Sequence, residues 1–135
     1  MANGFHYAFK VKDLDSTRRF YGEVLGCREG RSTDSWVDFD FFGHQISAHL
    51  GHVGNLDYCG DVDGVAVPIP HFGCLLSDAQ FVQVQRRLES ADVEFVIRPQ
   101  VRYAGKPAQQ STLFVLDFSG NPLEFKSFKD ERQVY

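Results

Sequence analysis

The sequence predicts an α+β protein made of two βαβββ modules, and three observations carry that prediction. A strand-like alternation opens each half of the chain, a capped amphipathic helix follows each opening strand, and the two halves end in hairpins of related sequence. The chain has 135 residues, 43% of them hydrophobic and 24% charged, which suits one ordered domain spanning 1–135. Thirteen Phe residues point to aromatic core layers or an aromatic-lined cavity.

The first strand is expected over residues 5–11. Phe5, Tyr7, Phe9 and Val11 share one face, and His6, Ala8 and Lys10 share the other. Asp13 or Asp15 caps a helix whose apolar stripe is Leu14, Phe20, Tyr21, Val24 and Leu25, with Gly26 at the left-handed C-terminal position. Strands near 36–42 and 44–50 meet at Gly43. Residues 51–68 are rich in Gly and Asp, lack a period, and read as a linker or a flap over a site.

The second half starts again with a strand at 71–76. Ser77 with Gln80 gives a capping-box pattern, and Phe81, Val84 and Leu88 follow at helical spacing. Strands near 93–97, 112–118 and 122–128 complete it. His6 and His71 open the two halves, and Gly43-His44-Gln45-Ile46-Ser47 resembles Gly120-Asn121-Pro122-Leu123-Glu124. Duplication of one unit explains both, with module one at about 4–58 and module two at about 69–129.

Several function classes are disfavoured. The net charge is −4 and the Lys and Arg residues are scattered, so no basic stripe for nucleic acid is present. No apolar run approaches the ~20 residues that span a bilayer. Met1-Ala2-Asn3-Gly4 does not resemble a signal peptide, and Cys27, Cys59 and Cys74 match no zinc or disulfide pattern. A cytoplasmic protein that binds a small molecule is the expectation.

Alternation also locates chemistry. Glu124 lies on the strand face opposite Leu123 and Phe125, His6 lies opposite Phe5 and Tyr7, and His71 begins its strand. If the halves pair about a pseudo-twofold axis, two imidazoles and one carboxylate form a facial triad with coordination positions left open. Such a set accepts one divalent ion, with Fe(II) favoured and Mn, Ni or Zn possible.

These features together resemble the vicinal oxygen chelate superfamily. The matching motifs are His6 followed by Val11-Lys12-Asp13-Leu14, then Phe20-Tyr21-Gly22-Glu23-Val24-Leu25-Gly26, His71-Phe72-Gly73, and Asp117-Phe118-Ser119-Gly120-Asn121-Pro122-Leu123-Glu124. The resemblance covers nearly the whole chain. It implies an open mixed β-barrel around one metal, closed within a chain or across a homodimer. It is nearest to small extradiol-dioxygenase-like proteins, and so implies an oxygenase acting on a small catechol-like chelating substrate.

The extradiol pattern is only partly present. Asp117, Gly120 and Glu124 match it, whereas Phe118 replaces a proline, Phe114 replaces a tyrosine, and Gly105, Lys106 and Pro107 stand where a histidine is expected. His49, Tyr103 and Lys106 are the candidate catalytic substitutes. Glyoxalase-type isomerases and lyases of the superfamily use a second carboxylate, but the position equivalent to Glu124 is Ser47, which disfavours that alternative. The other alternative is a metal-free antibiotic-binding resistance protein, which would not need the triad. Asp61 and Asp63 lack the rest of a calcium-loop pattern.

Overall fold

The computed structural model describes residues 3–135; Met1 and Ala2, with which the N-terminal reading begins, lie outside them. Two four-stranded sheets of identical topology carry the fold, as the duplication predicts. The strands of the first are β1 (His6–Val11), β2 (Arg28–Ser32), β3 (Trp36–Phe41) and β4 (His44–Leu50), in the order β1-β4-β3-β2. A two-stranded hairpin follows, β5 (Gly60–Val62) and β6 (Val65–Val67). The second sheet contains β7 (Phe72–Leu75), β8 (Glu94–Arg102), β9 (Gln110–Leu116) and β10 (Pro122–Phe128), in the order β7-β10-β9-β8. In each, the first and last strands pair in parallel and the others antiparallel.

The chain divides into two compact units: residues 1–54 with 117–121, and residues 55–116 with 122–135. In the first, Asp13 caps α1 (Leu14–Thr17) by accepting from Ser16 N–H at 2.6 Å. The helix then widens into a π-helical turn over Arg18–Val24, with Leu25 N–H bonded to Phe20 C=O, where a regular α-helix was expected. Phe20 and Tyr21 are adjacent and both fully buried. Gly26 follows at φ 75°, where only glycine is unstrained. Tyr21 packs on Phe9 and Phe39, and Phe20 on Phe118 of the 117–121 turn.

In the second unit, Ser77 and Gln80 form the capping box of α2 (Asp78–Glu89), and Phe81, Val84 and Leu88 are its buried stripe. Residues 51–68 are not merely a linker. Val62 and Val67 of the β5–β6 hairpin pack with Ile97 and Phe114 on one face of the second sheet. Asp63, at the hairpin turn, receives Arg102 through two hydrogen bonds of 2.9 and 3.2 Å. Strand β2 escaped sequence reading because all five residues are exposed and polar or Gly, leaving no alternation to detect. All three cysteines are free thiols, and among the described residues no helix is long and apolar enough to cross a membrane.

Candidate metal and substrate site

Strand register makes the two histidines equivalent. Gly73 pairs with Glu124, and Ala8 pairs with Ser47, the position that corresponds to Glu124. His71 stands two residues before Gly73, and His6 two residues before Ala8, so each points to the same side as its partner position. His71 immediately precedes β7 rather than opening it.

In the second unit His71 and Glu124 meet, with Nε2 and Oε1 3.3 Å apart. The other ring nitrogen, Nδ1, is 2.7 Å from the carbonyl oxygen of Pro68. A carbonyl only accepts, so Nδ1 carries the proton and donates it there. In neutral His71 the Nε2 lone pair therefore faces a carboxylate that is itself an acceptor. Two acceptors at that distance are stable only with a proton or a cation between them. Glu124 is 8% exposed and is held through Oε2 by Thr112 Oγ1 at 2.7 Å. Burial would raise its pKa, but hydrogen bonds from His71 and Thr112 and the charge of Lys126, 3.7 Å away, outweigh that and lower it. The hydrogen bond to Glu124, chiefly, raises the His71 pKa against desolvation. The ring also meets Phe114 edge-on at 4.9 Å.

Close backbone packing supports this pair. A Cβ on Gly73 would lie 1.5 Å from the carbonyl oxygen of Glu124, so β7 can approach β10 here only with glycine.

In the first unit His6 is exposed and its Nδ1 lies 2.7 Å from Gln45 Oε1. Gln45 Nε2 donates to Asp38 Oδ2 at 3.3 Å, which fixes Oε1 as the atom facing His6, so His6 Nδ1 donates as well. Both histidines thus have Nδ1–H committed to an oxygen and Nε2 left as the nitrogen with a free lone pair. Sequence reasoning missed Asp38. It is 7% exposed and accepts from Ser47 Oγ at 2.5 Å, placing a buried carboxylate beside the position where the sequence offered only serine. Only the register shows this, since Asp38 faces Ser47 across the β3–β4 hairpin.

The remaining candidates are dispersed. His49 is exposed on β4, opposite Lys10 and Trp36, with its ring 6.2 Å from the indole. Tyr103 is exposed just past β8, at φ 53°, and its hydroxyl accepts from Arg102 Nη2 at 3.1 Å. Lys106 is exposed in the following turn, where its backbone bonds Tyr103 and Gln109. His44 is exposed at the β3–β4 turn and its Nδ1 accepts from Phe5 N–H. His52 is also exposed. Asp61 accepts from Gly64 N–H and Asp63 holds Arg102, so both serve the hairpin. Among the described residues, no three or more His, Cys, Asp or Glu side chains stand as an assembled metal cage.

Paired βαβββ modules with a histidine at equivalent points of each define the class to which this chain is assigned. A family model for the Glyoxalase/Bleomycin resistance protein/Dioxygenase superfamily matches residues 5–125, and the chain belongs to that superfamily. It is similar to the crystal structure of a glyoxalase/bleomycin resistance protein/dioxygenase from Alicyclobacillus acidocaldarius. The identity is 30%, over 99% of this chain and 97% of that one, with a TM-score of 0.81. Its fold is also similar to the fosfomycin resistance protein FosX from Listeria monocytogenes (18% identity, 99% and 100% covered, TM-score 0.70). FosX from Mesorhizobium loti is similar too (15% identity, 100% and 99% covered, TM-score 0.71). None of the curated proteins matches this chain.

Proposed function

We propose that this protein is a metal-dependent enzyme acting on a small substrate that chelates through two oxygens, and specifically an oxygenase of extradiol type. The observation that carries the reading is the state of the two equivalent histidines. Each commits Nδ1–H to an oxygen acceptor, and in His71 the free Nε2 faces Glu124. His71 and Glu124 would hold the ion, and His6, from this chain or from a second copy of it, is the proposed third ligand. The donor set fits, being two neutral imidazoles and one ionised carboxylate. A divalent ion there supplies Lewis-acid polarisation of the substrate oxygens and, as Fe(II), redox chemistry with dioxygen.

The chain's own groups have separable tasks. Pro68 C=O orients His71, and Thr112 holds Glu124 and, with His71 and Lys126, lowers the pKa of that carboxylate against its burial. His49, Tyr103 and Lys106 are proposed to move protons, with Tyr103 favoured because its hydroxyl is bonded to Arg102.

Metal analysis of untagged protein purified without chelator tests the reading. One equivalent of metal per chain is expected, lost in His71→Ala with the far-UV spectrum unchanged. A metal-free wild-type protein would instead indicate a small-molecule sequestrant. Oxygen consumption with catechols after anaerobic iron loading then tests the oxygenase assignment.

Asp38 favours a second reading, a glyoxalase-type isomerase or lyase, because it offers the carboxylate that such chemistry requires. Turnover without oxygen uptake, abolished by Asp38→Asn, would select it.

A further inference from the structure

The β5–β6 hairpin lies along the sheet face that carries Glu124. Register puts Glu124, Phe114 and Ile97 in one row of that face, with Gln100 and then Arg102 further along β8. Val62 and Val67 pack with Ile97 and Phe114, and Asp63 at the tip grips Arg102. The hairpin turn, Asp63-Gly64, has φ of 50° and 83°, the two left-handed positions of a tight two-residue turn, so the hairpin is a preformed unit. Val67 runs directly into Pro68, whose carbonyl accepts the His71 Nδ1 proton at 2.7 Å. Phe114, beneath the hairpin, meets the His71 ring edge-on.

A hairpin with three residues per strand is marginal by itself and depends on what anchors it. At the tip the anchor is the Asp63–Arg102 pair, in which the Arg102 side chain is largely buried and Asp63 half exposed. Tyr103 braces Arg102, with its ring 4.9 Å from the guanidinium and its hydroxyl accepting from Nη2. Between Ile97 and Arg102, Gln100 Nε2 is sealed from solvent and has no hydrogen-bond partner among the described residues. A sealed donor without an acceptor favours any state that admits water, so the closed hairpin covers a group that opening would satisfy.

We propose that this hairpin is a hinged lid latched by the Asp63–Arg102 pair, and that both residues thereby act as positioning residues for His71. Closed, the lid holds Pro68 C=O against Nδ1, which turns Nε2 toward Glu124. Unlatched, it swings about residues 55–59 and 68–70, the carbonyl moves away and the imidazole is released. The coupling concerns the chain alone; that it serves a metal site rests on the proposed function.

Nuclear magnetic resonance of the metal-free protein tests the lid through two protons that only its opening exposes to water. These are the Gln100 side-chain amide and the His71 Nδ1 proton. Asp63→Asn keeps the side-chain shape and tolerates the left-handed turn. It and Arg102→Gln should each speed exchange at both sites by at least about fivefold, while the β9–β10 backbone amides keep their wild-type rates. Arg102→Lys retains the cation and should stay within about twofold of the wild type. Faster exchange at Gln100 with His71 unmoved overturns the proposal, as does no change at either site or a parallel acceleration of β9–β10. Zinc titration separates this from the metal reading. If the wild type takes up no zinc while both protons respond together, the lid stands and the metal reading falls. If zinc binds and neither proton responds, the lid falls and the metal reading stands.

Discussion

Tyr21 donates its hydroxyl to Asp117 Oδ2 at 2.7 Å, joining residues 96 positions apart inside the first unit. Asp117 also accepts from Ser119 N–H, Asn121 N–H and Asn121 Nδ2, so this one carboxylate organises the whole 117–121 turn. Asn121 Nδ2 reaches on to Lys10 C=O, and Ser119 Oγ accepts from Lys12 N–H.

Removing the Tyr21 hydroxyl deprives a buried carboxylate of one of its donors while keeping the ring. Tyr21→Phe should lower stability by about 1–2 kcal/mol, read as a fall in the urea midpoint at unchanged m-value. Little change would mean that Asn121 alone satisfies Oδ2.

Burial, the leading influence, raises the Asp117 pKa, and the donors from Tyr21, Asn121 and Ser119 only partly oppose it. The folded state therefore holds this proton more tightly than the unfolded chain. Its stabilising contribution is complete below the ordinary aspartate pKa and is lost as pH rises through the folded value. Comparing urea midpoints of the wild type and Asp117→Asn across that range isolates the effect. The wild type should lose ground to the variant as pH increases, and a parallel pair of curves would contradict the assignment.

Thr112 is fully buried and its hydroxyl serves Glu124. Thr112→Val keeps the shape but frees the carboxylate to turn. Metal affinity should drop by about 10–100-fold, the usual effect of losing a group that orients a ligand. Competition with a chromophoric zinc chelator measures it, and an unchanged affinity would remove Glu124 from the ligand set.

Gly73 and Gly54 offer a paired test of backbone approach. Gly73→Ala drives a methyl into the Glu124 carbonyl and should cost at least about 3 kcal/mol, with the β7–β10 pairing lost first. Gly54 has open space around it, and Gly54→Ala should stay within about 0.5 kcal/mol of the wild type. Thermal melts of both variants make the comparison, and amide exchange on β7 reports the pairing.

Local rules made much of this protein legible. Asp13 and Ser77 cap as their positions predict, Gly26 takes the left-handed conformation, and the hairpins fall where glycine marks them. Each of these depends on residues within a few positions of one another. The hairpin at 60–67 was hidden because three-residue strands are too short to show a period, and it is held by Val62 and Val67 packing on distant residues. The candidate site was half legible. Equivalent histidines and Glu124 follow from repeat and alternation, but Asp38 does not, since nothing local distinguishes it from the exposed Asp40 two residues on.

By itself, then, the sequence determined the duplicated βαβββ plan, the faces of its longer strands and the equivalent positions of His6 and His71, because these follow from short-range periodicity and repetition. Only tertiary structure decided that His71 meets Glu124 and which nitrogen each imidazole leaves free. Those outcomes depend on register between strands far apart in sequence, and on the low-dielectric interior that makes every unpaired proton or lone pair costly.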